Sequence, residues 1–320
     1  MTNTNPPFPE LPPHPKYRTA REASRIYLLP NMFTAGNMLC GFLSIYSCIK
    51  AKYIAPAEGT DPNLFYRHAI YYILGACICD LFDGRVARAA KRESLFGLEF
   101  DSIADIISFG MAPALMICML ILNPTPNAAT ADWFASIGRE FAWVFAFIYL
   151  LCVGVRLARF NVLTNPLLPD NVGKDFGSDF VGLPCPTAAG MIASIVLLIT
   201  QPANPATPPG LAANLQKIAI LCLPIVLLIS FLMVSTVRYP SFKHINWNTR
   251  LKLRAFILLF LFVALSIRYY EYTIPVLFLA FILNGFVHTL RKKARERSAA
   301  AENPQAGLGD MADEADDADE

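Results

Sequence analysis

Eight apolar runs, each near the length that crosses a bilayer, constrain this chain more than anything else in it. They fall at residues 31–49, 68–90, 97–122, 135–158, 183–200, 217–236, 252–268 and 273–290. A helix needs about 20 apolar residues to span the hydrocarbon layer. It can do so because its backbone groups bond internally, where no water is present to satisfy them. Over the whole chain 55% of residues are hydrophobic and 16% charged, a balance that soluble domains rarely reach. The expected fold is all-α: a polytopic integral membrane helix bundle with about eight transmembrane helices.

The basic residues orient such a bundle, because cytoplasmic loops carry an excess of Lys and Arg. With eight spans, one face of the membrane receives only Lys50, Lys52, Arg67, Arg139, Lys217 and Arg268, and the other receives the remaining 21 of the 27 basic residues. Both termini and the loops after the second, fourth and sixth spans lie on the richer side. The expectation is a bacterial inner (cytoplasmic) membrane protein with its termini in the cytoplasm. Net charge is only +2, which gives no sign of a nucleic-acid partner.

The ends read differently from the middle. Residues 1–19 are Pro-rich, have no apolar core of a cleavable signal and are expected to be disordered. Residues 20–29, with Arg21 and Arg25 opposed to Ile26, Leu28 and Leu29, suit either an amphipathic helix on the headgroups or a plain linker. Residues 298–320 are rich in Ala and acid and lack core-forming side chains, so a disordered tail is expected there. The eight cysteines all fall in or beside apolar runs; their spacing suggests neither a disulfide framework nor a zinc site.

Against this background residues 79–105, CDLFDGRVARAAKRESLFGLEFDSIAD, stand out. A carboxylate at the centre of a bilayer is unfavourable by about 3 kcal/mol even on lenient scales. Asp80 and Asp83 are three apart at the end of the second span, and Asp101 and Asp105 are four apart at the start of the third. Each spacing puts its pair on one helix face, so two adjacent antiparallel helices can aim four carboxylates at one point. Such groups repel one another unless cations intervene. Hard oxygen donors suit Mg²⁺, Mn²⁺ or Ca²⁺, and divalent ions held this way clamp phosphoryl oxygens. The competing reading is a salt-bridge cluster with Arg85, Arg88, Lys91 and Arg92.

The spacing Asp80-x2-Asp83-Gly84-x2-Ala87-Arg88-x8-Gly97-x3-Asp101-x3-Asp105 resembles the full signature of the CDP-alcohol phosphatidyltransferase family. The resemblance covers roughly residues 25 to 240. It implies a six-helix membrane core over residues 20–240, commonly a homodimer, leaving residues 241–297 as two further spans. It implies that Asp80, Asp83 and Asp101 hold divalent metal, that Asp105 touches metal and serves as general base, and that Gly84, Ala87 and Arg88 lie against the CDP moiety. In such chemistry an alcohol attacks a CDP-linked lipid and CMP leaves.

Other stretches bear on the alcohol. LPNMFTAGNMLCGFLS (29–44), RLARFNV (156–162), FVGLPCPTAAG (180–190) and MVSTVRYPSFK (233–243) are similar to the phosphatidylserine synthase branch of that family. The branch implies CDP-diacylglycerol and L-serine as substrates. Asn31, Thr34 and Asn37, at helical spacing, are candidates to bind the nucleotide or phosphates, with helix capping or helix–helix bonding as the competitor. Arg156 and Arg159, with Asn161, are candidates for the serine carboxylate or a lipid phosphate, against ordinary interfacial anchoring. Acceptors such as glycerol 3-phosphate or an inositol phosphate would call for a denser basic cluster. A cation channel or transporter would call for polar residues through several spans, and the last three spans hold almost none.

Overall fold

The computed structural model describes residues 28–90, 95–122, 133–164, 179–200, 209–235, 237–240 and 268–302. The leading 27 residues and most of the seventh expected span lie outside them. In chain order the elements are α1 (Leu28–Tyr53), α2 (Ala55–Glu58), α3 (Pro62–Ala90) and α4 (Leu95–Asp105). A π-helical turn (Ile106–Met111) then leads into α5 (Ala112–Leu122), followed by α6 (Trp133–Thr164) and strand β1 (Asp179–Val181). Helix α7 (Cys185–Ile199), α8 (Pro209–Val234), strand β2 (Arg238–Pro240) and α9 (Tyr270–Glu302) complete the elements among the described residues.

The helices fall into two compact units. One holds α1 to α6 with α7 and α8; the other holds β1, β2 and α9. In the first unit α1 packs along α3, α6 packs on α5 and α8, and α7 lies against α3 and α8. Among the described residues four helical stretches are long and apolar enough to cross a membrane: Asn31–Tyr53, Phe96–Leu122, Ile137–Leu163 and Tyr272–Arg291. Cys185–Ile199 and Cys222–Val234 are shorter apolar helices. Outward faces carry large apolar side chains, among them Trp143, Phe147, Leu228 and Phe231, a surface suited to lipid and not to water. The protein is an integral membrane protein, and its first unit is a helical bundle.

Local chemistry explains the punctuation. Helix α2 ends at Gly59, whose φ of 67° is left-handed and whose N–H bonds back to the Ala55 carbonyl, a conformation glycine adopts without a Cβ penalty. Helix α3 then opens at Pro62, and the Asp61 carboxylate accepts the Asn63 N–H at 3.0 Å, capping an orphan donor.

Two features depart from the sequence reading. A three-residue antiparallel ribbon pairs Phe180 with Tyr239, and the Gly182 N–H extends it to the Val237 carbonyl at 2.8 Å. Strands this short leave no periodic signal, so the ribbon was not expected. Helix α9 also runs on to Glu302, taking in five residues assigned above to the tail. Ala299, Ala300 and Ala301 are the best helix formers, which is sufficient to carry it that far.

Candidate active site

Helices α1, α3 and α4 build the polar centre. Asp80 and Asp83 project from α3 three residues apart, Asp101 and Asp105 from α4 four apart, and α1 packs against both helices. Carboxylate oxygens of Asp80, Asp101 and Asp105 all lie within 4.8 Å of one another. Asp83 stands outside this trio yet close enough to act electrostatically on Asp80 and Asp101. Four carboxylates were expected at one point; three share it, and the fourth flanks it.

The difference has a visible cause on α1. The Thr34 hydroxyl donates to Asp83 Oδ2, and Asn37 Nδ2 donates to Asp105 Oδ1 at 3.0 Å. Thr34 and Asn37 are buried and lie one turn apart, so one face of α1 holds an aspartate from each neighbouring helix. The helix-to-helix role, which competed above with direct nucleotide binding, is the one this geometry displays for both residues. Asn31 has a buried side-chain nitrogen with no hydrogen-bond partner among the described residues.

Close packing brings α1 to α4. Ser108, in the π turn, donates to the Asn37 carbonyl at 2.8 Å. A Cβ on Gly41 would stand 2.7 Å from the Ser108 Cα, nearer than atoms tolerate, so only glycine fits where the two backbones meet.

On α6 the predicted acceptor residues separate. Arg156 Nη1 donates to Cys185 Sγ at the start of α7, 3.1 Å away, while its Nε is buried without a partner among the described residues. The guanidinium lies within electrostatic range of Asp80 and Asp105. Arg159 is exposed. Asn161 Nδ2 donates to Ser102 Oγ at 2.9 Å, and Ser102 donates onward to the Leu98 carbonyl at 3.0 Å. Asn161 thus ties α6 to the residue beside Asp101. Gly84, Ala87 and Arg88 lie within α3, with side-chain surroundings outside the described residues. The contributions of Ser102, Cys185 and Tyr149, whose hydroxyl donates to the Phe109 carbonyl at 2.8 Å, were not apparent from spacing.

The cluster is suited to a divalent cation. Its donors are all oxygen, and Asp101 Oδ1 is buried with no hydrogen-bond partner among the described residues, an arrangement that is unfavourable unless a cation completes it. Helical membrane bundle and carboxylate cluster together define an integral membrane protein whose site is able to hold a divalent metal.

Comparison with known proteins narrows the class. A family model described as CDP-alcohol phosphatidyltransferase matches residues 27–223. The CDP-diacylglycerol--serine O-phosphatidyltransferase of Helicobacter pylori (strain ATCC 700392 / 26695) is 33% identical over 240 residues, 75% of this chain and 81% of the relative. Its counterpart in strain J99 is 32% identical over the same shares. The Saccharomyces cerevisiae protein of that name is 32% identical over 173 residues, 54% of this chain and 55% of the relative. This chain belongs to the CDP-alcohol phosphatidyltransferase family.

Proposed function

We propose that this protein transfers the phosphatidyl group of CDP-diacylglycerol to the hydroxyl of L-serine, giving phosphatidylserine and CMP. The observation that carries the reading is the trio Asp80, Asp101 and Asp105, with oxygens within 4.8 Å of one another, in a chain whose relatives bear the name of that reaction. The serine oxygen forms a bond to the phosphatidyl phosphorus, the bond from that phosphorus to the CMP oxygen breaks, and the serine proton passes to Asp105. Asn37 occupies Asp105 Oδ1, which leaves the second oxygen to take the proton. Asp80, Asp83, Asp101 and Asp105 would hold Mg²⁺ or Mn²⁺, with Ca²⁺ compatible with the same donors. The bound ions supply charge neutralisation for the diphosphate.

Arg156 takes the serine carboxylate in this reading. Its buried Nε, without a partner among the described residues, is a donor in want of an acceptor, and the guanidinium lies within electrostatic range of the carboxylate that accepts the proton. Arg159, exposed, serves the interface. Gly84, Ala87, Arg88 and Asn31 are assigned to the nucleotide side. Residues 20–240 form the catalytic core, 241–297 supply two further spans, and the protein works as a homodimer. The excess of basic residues puts the site and both termini on the cytoplasmic face of a bacterial inner membrane. Acceptor competition tests the assignment: CMP release from CDP-diacylglycerol should require L-serine, and neither glycerol 3-phosphate nor an inositol phosphate should replace it. Release with one of those acceptors instead would retain the aspartate chemistry and reject serine.

A further inference from the structure

We propose that Tyr149 is a positioning residue for Asp105, its hydroxyl stabilising the π-helical turn that sets the direction in which Asp105 projects. The inference rests on the phosphatidyl-transfer reading above and adds a residue to its machinery.

The turn begins directly after Asp105. In an α-helix the Phe109 carbonyl would accept the N–H of residue 113, but residue 113 is proline and has none. The chain widens over Ile106–Met111, and the Ala112 N–H bonds five residues back, to the Ile107 carbonyl. Such a turn takes in one residue more than an α-helical turn. One residue is about 100° of helical rotation. Asp101 and Asp105, before the turn, are thereby set at a different phase from Ala112, Met116 and Ile117, which stay buried after it. The carboxylates face the cluster while the following helix keeps its apolar contacts.

Tyr149 gives the Phe109 carbonyl a donor that residue 113 cannot. Its hydroxyl reaches across from α6 and donates to the Phe109 carbonyl at 2.8 Å, and its side chain is 0% exposed. A buried carbonyl without a donor is unfavourable, and in hydrocarbon water cannot replace the lost bond. Tyr149 also lies two turns before Arg156 on α6, on the same helix face. The α6 contact through Asn161 and Ser102 holds the chain just before Asp105, and Tyr149 holds it just after. Together they pin both ends of the segment that carries the proposed base.

Tyr149→Phe keeps the ring and removes the donor. The test compares it with the wild-type full chain in detergent, using Mn²⁺ affinity by electron paramagnetic resonance without substrates, CMP-release kinetics and the thermal midpoint. The expected result is a kcat lower by about tenfold or more, since small displacements of reacting groups have effects of that order. KM for both substrates should stay within about twofold, and Mn²⁺ binding should weaken several-fold. Wild-type Mn²⁺ affinity and kcat in Tyr149→Phe would overturn the inference. A lower midpoint, with kcat per folded molecule and Mn²⁺ affinity unchanged, would also overturn it, by reducing Tyr149 to a packing residue. If the wild-type protein released no CMP with serine, the functional reading would fail, and the substrate-free Mn²⁺ comparison would still decide the role of Tyr149.

Discussion

Asn37 on α1 donates its side-chain amide to the Asp105 carboxylate on α4 at 3.0 Å, and the backbone carbonyl of the same asparagine accepts the Ser108 hydroxyl at 2.8 Å. One residue thus holds both the end of α4 and the π turn that follows it. A hydrogen bond to a charged group contributes about 1.5–3 kcal/mol, so Asn37→Ala should lower kcat roughly ten- to hundredfold. KM for CDP-diacylglycerol should change little. Steady-state kinetics in detergent decide it, and unaltered kcat would remove Asn37 from the site.

Removing divalent cation with a chelator should abolish turnover, and Mg²⁺ or Mn²⁺ should restore it. Asp101→Asn should bind cation far more weakly, because Asp101 Oδ1 is a carboxylate oxygen of the trio that is buried without a hydrogen-bond partner among the described residues. Asp105→Asn should still bind CDP-diacylglycerol but release almost no CMP. Isothermal titration with cation and a CMP-release assay separate these two effects.

Arg156 and Arg159 look alike in sequence and differ in place. Arg156→Ala should raise KM for serine by about tenfold or more, as loss of a charge-assisted bond does. Arg159→Ala, altering an exposed side chain, should leave kinetics within about twofold. A serine-concentration series on the two variants is sufficient. Equal effects would show that the half-buried Arg156 has no special part.

Gly41→Ala would press a methyl group against the Ser108 backbone, with 2.7 Å between Cβ and Cα. Overpacking of this kind destabilises by about 1–3 kcal/mol, and here it also spreads α1 from the π turn. A lower thermal midpoint in detergent is expected, accompanied by loss of activity because Asn37 moves with the helix.

What was legible in the sequence follows the physics of each feature. The aspartates were legible because carboxylates beside hydrocarbon are conspicuous and their spacing puts each pair on one face. The first, third, fourth and eighth expected spans are met by helices long and apolar enough to cross a membrane, and the fifth and sixth by shorter apolar helices, because length and hydropathy are local properties. The partners of Thr34 and Asn37 were not legible: each bond joins residues dozens of positions apart, and spacing along α1 could not separate nucleotide binding from helix bonding. Tyr149 sits in an apolar helix where an aromatic reads as lipid-facing or core. The π turn did leave a local trace, Pro113 four residues after Phe109, but a proline alone does not say whether a helix kinks, ends or widens. The β1–β2 ribbon joins segments far apart in the chain and too short to carry a pattern.

The central claim is that the carboxylate cluster serves serine-dependent phosphatidyl transfer. The most direct measurement follows both products from purified protein given CDP-diacylglycerol, L-serine and Mn²⁺. CMP and phosphatidylserine should form in equal amounts, with neither formed when serine is omitted. CMP release independent of serine, or a lipid product lacking serine, would contradict it.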